Sequence, residues 1–151
     1  MLDIFVDADA CPVKQEVYRV ANRYGLNVTL VSNSWMRAPP EDRISLIVVG
    51  DRLDAADDWI VEHVGENDIV ISADIPLASR CLEKGAQVLG PSGRVFTDES
   101  IGEALATREL LSQLRELGTV TGGPAPFRKR DRSRFLQRLD ETIQAVHKRK
   151  S

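Results

Sequence analysis

Short, nearly continuous apolar runs alternate with stretches of helical periodicity along the first ninety residues, and no other feature constrains the fold as strongly. The runs fall at residues 2–6, 28–31, 44–49, 69–71 and 88–89, are rich in Ile, Val and Leu, and end at polar or turn residues. A strand wetted on one face alternates apolar and polar side chains, whereas an unbroken apolar strand needs cover on both. Between the runs, Val13, Val17, Val20, Ala21 and Tyr24 recur at helical spacing, with Pro12 predicted at the first helical position and Gly25 at the close. A second helix is predicted over 54–64, with Ala56, Trp59, Ile60 and Val64 inward, and a third opens at Pro76 and runs to Gly85. Strands joined through helices pair in parallel with right-handed crossovers. The expected architecture is a three-layer α/β/α fold around a mostly parallel central sheet.

Beyond the strands, Ser100 and Glu103 read as a capping box that opens a helix reaching about Leu117. A Gly- and Pro-rich loop at 118–130 leads to a last helix at 131–148, where Phe135, Leu139, Ile143 and Val146 form one apolar stripe. A stripe of that kind needs cover, so the helix is expected to dock on the body of a single domain spanning 1–151. Residues 1–127 hold 11 Lys and Arg against 20 Asp and Glu, while residues 128–151 hold 9 against 3. A basic tail therefore follows an acidic body and either meets a polyanion or folds back. No apolar run approaches the roughly 20 residues of a membrane span, so no membrane association is expected. Cys11 and Cys81 lie far apart with no CxxC spacing, which predicts free thiols and a cytoplasmic setting. A homo-oligomer is compatible with the sequence.

Ligands of open parallel sheets bind beyond the carboxyl ends of the strands. Asp7 and Asp9 follow the first apolar run, Asp51, Asp54, Asp57 and Asp58 follow the third, and Asp74 follows the fourth. A single aspartate after a strand most often caps the next helix, the role expected for Asp54 and Asp98. Asp58 and Asp68 are open to a purely solvated role. Asp7 and Asp74 are different, because a central first strand beside the fourth would crowd them together. Crowded carboxylates repel unless a cation neutralises them, and oxygen-only sites suit Mg²⁺ or Mn²⁺. Lys14, Asn33 and Arg37 fall on the same predicted rim, and Arg128, Lys129 and Arg132 open the basic tail. Cys11, beside Pro12 at a helix start, reads first as a small buried residue, and His63 and His147 lack metal-ligand spacing.

FVDADAC also fits the DxD of haloacid-dehalogenase-type phosphatases, with Asp7 as nucleophile and Asp9 as acid/base. That family places a lysine between its hydroxyl and late-acid motifs, and residues 33–50 contain none. Asp7, then Asp57 or Asp58, then Asp74 follow the order of acids in PIN-like nucleases, and VISADIPLA is similar to their fourth-strand segment. Over essentially the whole chain, the sequence resembles the YaiI/YqxD family of bacterial proteins, regarded as PIN-like. The matching segments are DADACPV (7–13), VSN (31–33), the loop at Arg37-Ala38-Pro39-Pro40, GDRLDAADDWI (50–60), DIVISADIPLA (68–78) and TGGPAPFRKRDRSRF (121–135). Relatives usually carry Asn-Pro-Arg-Gly where this chain has Gly90-Pro91-Ser92-Gly93, and threonine where it has Ser72. The resemblance implies a metal-dependent nuclease acting on RNA or DNA, RNA being favoured. Asp7, Asp74 and Asp57 or Asp58 would hold Mg²⁺ or Mn²⁺, with Asp9 reaching it through water. Lys14, Asn33, Arg37, Arg128, Lys129 and Arg132 would contact the polyanion. The alternative is a PIN-like module that binds nucleic acid or protein without cutting.

Overall fold

The computed structural model describes residues 2–118 and 126–150. Five parallel strands carry the apolar runs: β1 (Asp3–Asp7), β2 (Asn27–Ser32), β3 (Ile44–Val48), β4 (Ile69–Ile71) and β5 (Gln87–Leu89). A two-residue β6 (Val95–Phe96) pairs antiparallel to β5, and the sheet order is β3-β2-β1-β4-β5-β6. Two residues are too few to show a period, which is why β6 left no trace in the sequence pattern.

Alternate residues of each strand feed opposite layers, as the pleat requires. Ile4, Val6, Val28, Leu30, Ile69 and Ile71 pack under α1 (Lys14–Tyr24) and α5 (Lys129–Lys150). Phe5, Val31, Val70 and Val88 face α2 (Ala55–His63) and α3 (Ile75–Glu83), joined by Phe96 and by Ile101 of α4 (Asp98–Glu116). Helices on both faces explain why the strands are apolar throughout. Among the described residues no helix is long and apolar enough to cross a membrane.

Four local readings are corrected. Pro12 is not the first helical residue: the chain makes a 3-10 turn at Ala8–Ala10, and α1 begins at Lys14 after an uncapped Val13. The capping box is Thr97 with Ser100, not Ser100 with Glu103, because Thr97 is the last extended residue before α4. Asp98 is then the first helical residue and not the cap, and Asp54, at the N-cap position of α2, makes no side-chain cap hydrogen bond. Asp68 is not simply solvated, since its carboxylate accepts from Asp3 N at 3.0 Å and Gly65 N at 2.8 Å. Most of the predicted 118–130 loop, with its TGGPA segment, lies outside the described residues.

The stripe on α5 is fully buried at Phe135, Leu139, Ile143 and Val146, against α1 and the sheet. Polar clamps flank it. Tyr24 Oη and Arg23 each donate to Asp140 at 2.6 Å, and Arg132 donates to Pro12 O at 2.6 Å and to buried Glu16 at 3.1 Å. Removing Arg132 strands a carboxylate that water reaches poorly. Arg132→Ala should therefore cost about 1–3 kcal/mol in urea unfolding. The double variant Arg132→Ala/Glu16→Gln should recover part of that loss. Equal stability of wild type and Arg132→Ala would show that the clamp contributes nothing.

Candidate functional site

Strand order reverses between β1 and β4: β2 and β3 lie to one side, β5 and β6 to the other. At such a point the connections leave in opposite directions and open a crevice at the carboxyl edge. Asp7 is the last residue of β1, and Asp74 follows β4 by three residues, so both lie at the carboxyl edge of that switch point. Ser72 joins them. Its Oγ donates to Asp7 Oδ2 at 3.0 Å and accepts from Asp74 N at 3.0 Å. The sequence marked Ser72 only as a hydroxyl in place of threonine, and its linking role depends on β4 lying beside β1.

Asp74 also caps α3, accepting from Leu77 N at 2.9 Å through Oδ1. The ordinary role of an aspartate after a strand is thus realised, and it uses one oxygen of the two. Burial, offset by the Ser72 hydrogen bond, together with the charges of Asp74 and Asp9 holds the Asp7 carboxyl above the usual range.

The structure separates Asp57 from Asp58, one helical position apart on α2. Burial first, then the charges of Asp74, Asp7 and Asp54, push Asp57 up to about 6 against the pull of Arg80. Among the described residues its side chain makes no hydrogen bond. Asp58 is turned away and engaged by Arg80 at 2.9 Å and Arg52 at 3.3 Å, which lower its pKa. Asp9 is also occupied: Ser32 Oγ donates to it at 2.7 Å and Asn33 N at 2.8 Å, fastening the turn after β1 to the end of β2.

The cationic candidates divide similarly. Lys14 Nζ donates to Cys11 O at 3.1 Å, and Arg132 is committed to Glu16 and Pro12. Asn33, Arg37, Arg128 and Lys129 are exposed. Burial raises both thiols, Cys81 to about 12, so neither is a poised nucleophile. His63 stacks on Trp59 at 3.7 Å between centroids, and His147 meets Tyr24 edge-on.

The donor set at the crevice is hard oxygen throughout, the chemistry that suits Mg²⁺ or Mn²⁺. Among the described residues no three acid, histidine or cysteine side chains stand close enough to grip one ion. Mg²⁺ needs no such cage, because it keeps its waters and is held by one or two carboxylates with substrate phosphates. Asp7 and Asp74 fit that pattern as a pair.

Residues 5–145 match the model of a family described as "Uncharacterized BCR, YaiI/YqxD family". A UPF0178 protein of Rhodospirillum centenum is 57% identical over 152 residues, covering 98% of this chain and 99% of the relative. A UPF0178 protein of Bradyrhizobium sp. is 53% identical over 150 residues, covering 99% and 92%. One from Paramagnetospirillum magneticum is 57% identical over 143 residues, covering 95% of each. No solved structure matches the chain.

Proposed function

The chain belongs to the YaiI/YqxD family, and we propose that it is a PIN-like, divalent-cation-dependent phosphodiesterase that cuts single-stranded RNA. One observation supports this reading: Ser72 Oγ donates to Asp7 Oδ2 and accepts from Asp74 N, so carboxylates that leave two adjacent parallel strands are tied together at the switch point. Such crowding destabilises an empty site and favours a cation. Asp7 and Asp74 would hold Mg²⁺ or Mn²⁺, which supplies Lewis-acid polarisation of a phosphate oxygen. Ser72 fixes the rotamer of Asp7, and the α3 cap fixes that of Asp74. Asp57, half-buried and unengaged, takes the proton of the attacking water as its oxygen bonds to phosphorus and the ester oxygen leaves. Single-stranded substrate is favoured by the rim beyond β2, where Trp35 is 75% exposed between Asn33 and Arg37. An exposed indole beside a guanidinium offers a base a stacking face and its phosphate a partner.

The test is cleavage of end-labelled single-stranded RNA and DNA by wild type and Asp7→Asn, with Mg²⁺, Mn²⁺ or chelator. Wild type should cut only with metal, and Asp7→Asn should not cut. Without metal, Asp7→Asn should melt above wild type, since a neutral amide removes the repulsion. Metal at about 100 times its Kd should add roughly 2.7 kcal/mol to wild type and nothing to the variant. The charge control is Asp42→Asn, exposed at the opposite edge of the sheet before β3; Asp68 is unsuitable because it holds backbone amides. Equal metal stabilisation of wild type and Asp7→Asn would remove the cation site. A wild type that binds RNA yet cuts nothing would make the chain a binding module.

A further inference from the structure

Helix α4 buries only Ala104, yet its face carrying Ser100, Arg108 and Arg115 is not simply turned to solvent. Those residues, with Glu103, line a cleft of about 450 Å³ whose far wall holds Ile75 of α3 and Arg94 of the β5–β6 turn. Ile75 directly follows Asp74, so the cleft begins where the carboxylate edge ends. Arg94 lies 4.8 Å from the centroid of the Phe96 ring, a contact that steadies its guanidinium. Among the described residues neither Arg108 nor Arg115 enters an ion pair. Three arginines against Glu103 leave the cleft basic on a body that is otherwise acidic.

We propose that this cleft carries the phosphate backbone of a single-stranded nucleic acid away from the Asp7–Asp74 edge. The proposal takes its substrate class from the proposed function and adds the path and the residues that hold it. A helix rises about 1.5 Å per residue, so the backbone positions of Arg108 and Arg115 stand roughly 10 Å apart on one face of α4. With Arg94 on the facing turn, guanidiniums spaced in this way suit successive phosphates of a chain. Trp35 lies beyond β2, Asp7 and Asp74 flank the middle, and the cleft lies on the β4–β5 side.

The experiment is fluorescence anisotropy of the full chain with labelled oligouridylate of about twelve nucleotides, in chelator, over a range of salt. Arg108→Ala/Arg115→Ala should weaken binding on the order of tenfold or more. The slope of log K against log salt should shrink by about 1.4, since each single-strand phosphate contact contributes about 0.7. Arg108→Lys/Arg115→Lys should keep most of that slope, and melting temperatures should match wild type. Wild-type affinity and slope in the alanine variant would overturn the proposal, as would a wild type that binds no oligonucleotide at low salt. A polyglutamate peptide bound as tightly, with the same loss in the variant, would also overturn it and make the cleft a protein-docking site. Binding is read without metal, so the two readings fail separately. Loss of binding in the variant with no cleavage under any metal removes only the nuclease. Asp7-dependent cleavage unaffected by the arginines removes only the cleft.

Discussion

Asp57→Asn is expected to slow metal-dependent cleavage by on the order of 10²–10⁴-fold, the usual contribution of a positioned proton acceptor. The same substitution should make the metal-free protein more stable at neutral pH. In the folded state Asp57 titrates at about 6, raised from an ordinary 3.8 by burial and by Asp74, Asp7 and Asp54. A carboxyl raised on folding binds its proton more tightly in the native state. Its contribution to stability is therefore complete below about 3.8 and disappears as pH rises through about 6. Wild type without metal should lose on the order of 1–2 kcal/mol over that interval, a figure discounted for the partial exposure of the group. Asp7 is raised as well and acts in the same direction. Asp58, lowered by Arg80 and Arg52, and Asp140, lowered by Tyr24 and Arg23, lose their contributions only at more acid pH. Urea unfolding from pH 4 to pH 7 should give a falling curve for wild type and a flatter one for Asp57→Asn. With a cation bound, the Asp57 pKa falls, so the rise of cleavage with pH should sit below 6. Coincident curves and equal cleavage would remove Asp57 from the site.

The parallel sheet was readable because burial on both faces leaves strands like IFV and IVI with no polar residue in the middle. Asp7 and Asp74 were marked together because each leaves such a strand at the carboxyl edge, on the condition that β4 pairs beside β1, and only the sheet order supplies that condition. What the sequence could not give depends on which long-range neighbour each polar side chain finds. Asp57 and Asp58 are adjacent residues with one chemistry, and only the position of Arg80 on α3 separates an engaged carboxylate from an unengaged one. Arg132 looked like a polyanion contact because nothing local announces that Glu16, more than a hundred residues earlier, is buried beneath it. Asp68 looked solvated for the same reason, its backbone partner Asp3 being in another strand. Local capping failed more narrowly, where two Ser/Thr residues three apart, Thr97 and Ser100, each offered a plausible start and the extended backbone at Thr97 decided.

Phe135→Ala is expected to lower stability by about 3–5 kcal/mol, the largest single effect of any core substitution considered for this chain. Phe135 is completely buried, the largest of the fully buried side chains, within the cluster that includes Cys11, Val13, Val17 and Leu139. Truncation there removes a ring's worth of apolar burial and leaves a cavity that α1 and the sheet cannot close. At about 2–4 °C per kcal/mol for a domain of this size, the melting temperature should fall by roughly 10 °C. The neighbouring turn adds rigidity, since a Cβ at Gly93 would stand 2.6 Å from Arg134 Cγ, so the helix start fits against backbone with no slack. Gln137→Ala, on the exposed face of α5, is the control and should change stability by less than about 0.5 kcal/mol. If Phe135→Ala melts within about 2 °C of wild type, α5 contributes nothing to the core and its buried stripe has been misread. The effect should also reach the carboxylate edge. Arg132, three residues before Phe135, ties α5 to Pro12 O in the segment between β1 and α1 that carries Asp9. Loosening α5 therefore frees the turn that holds Asp9 against Ser32 and Asn33, and Phe135→Ala should weaken metal stabilisation even where the protein remains folded.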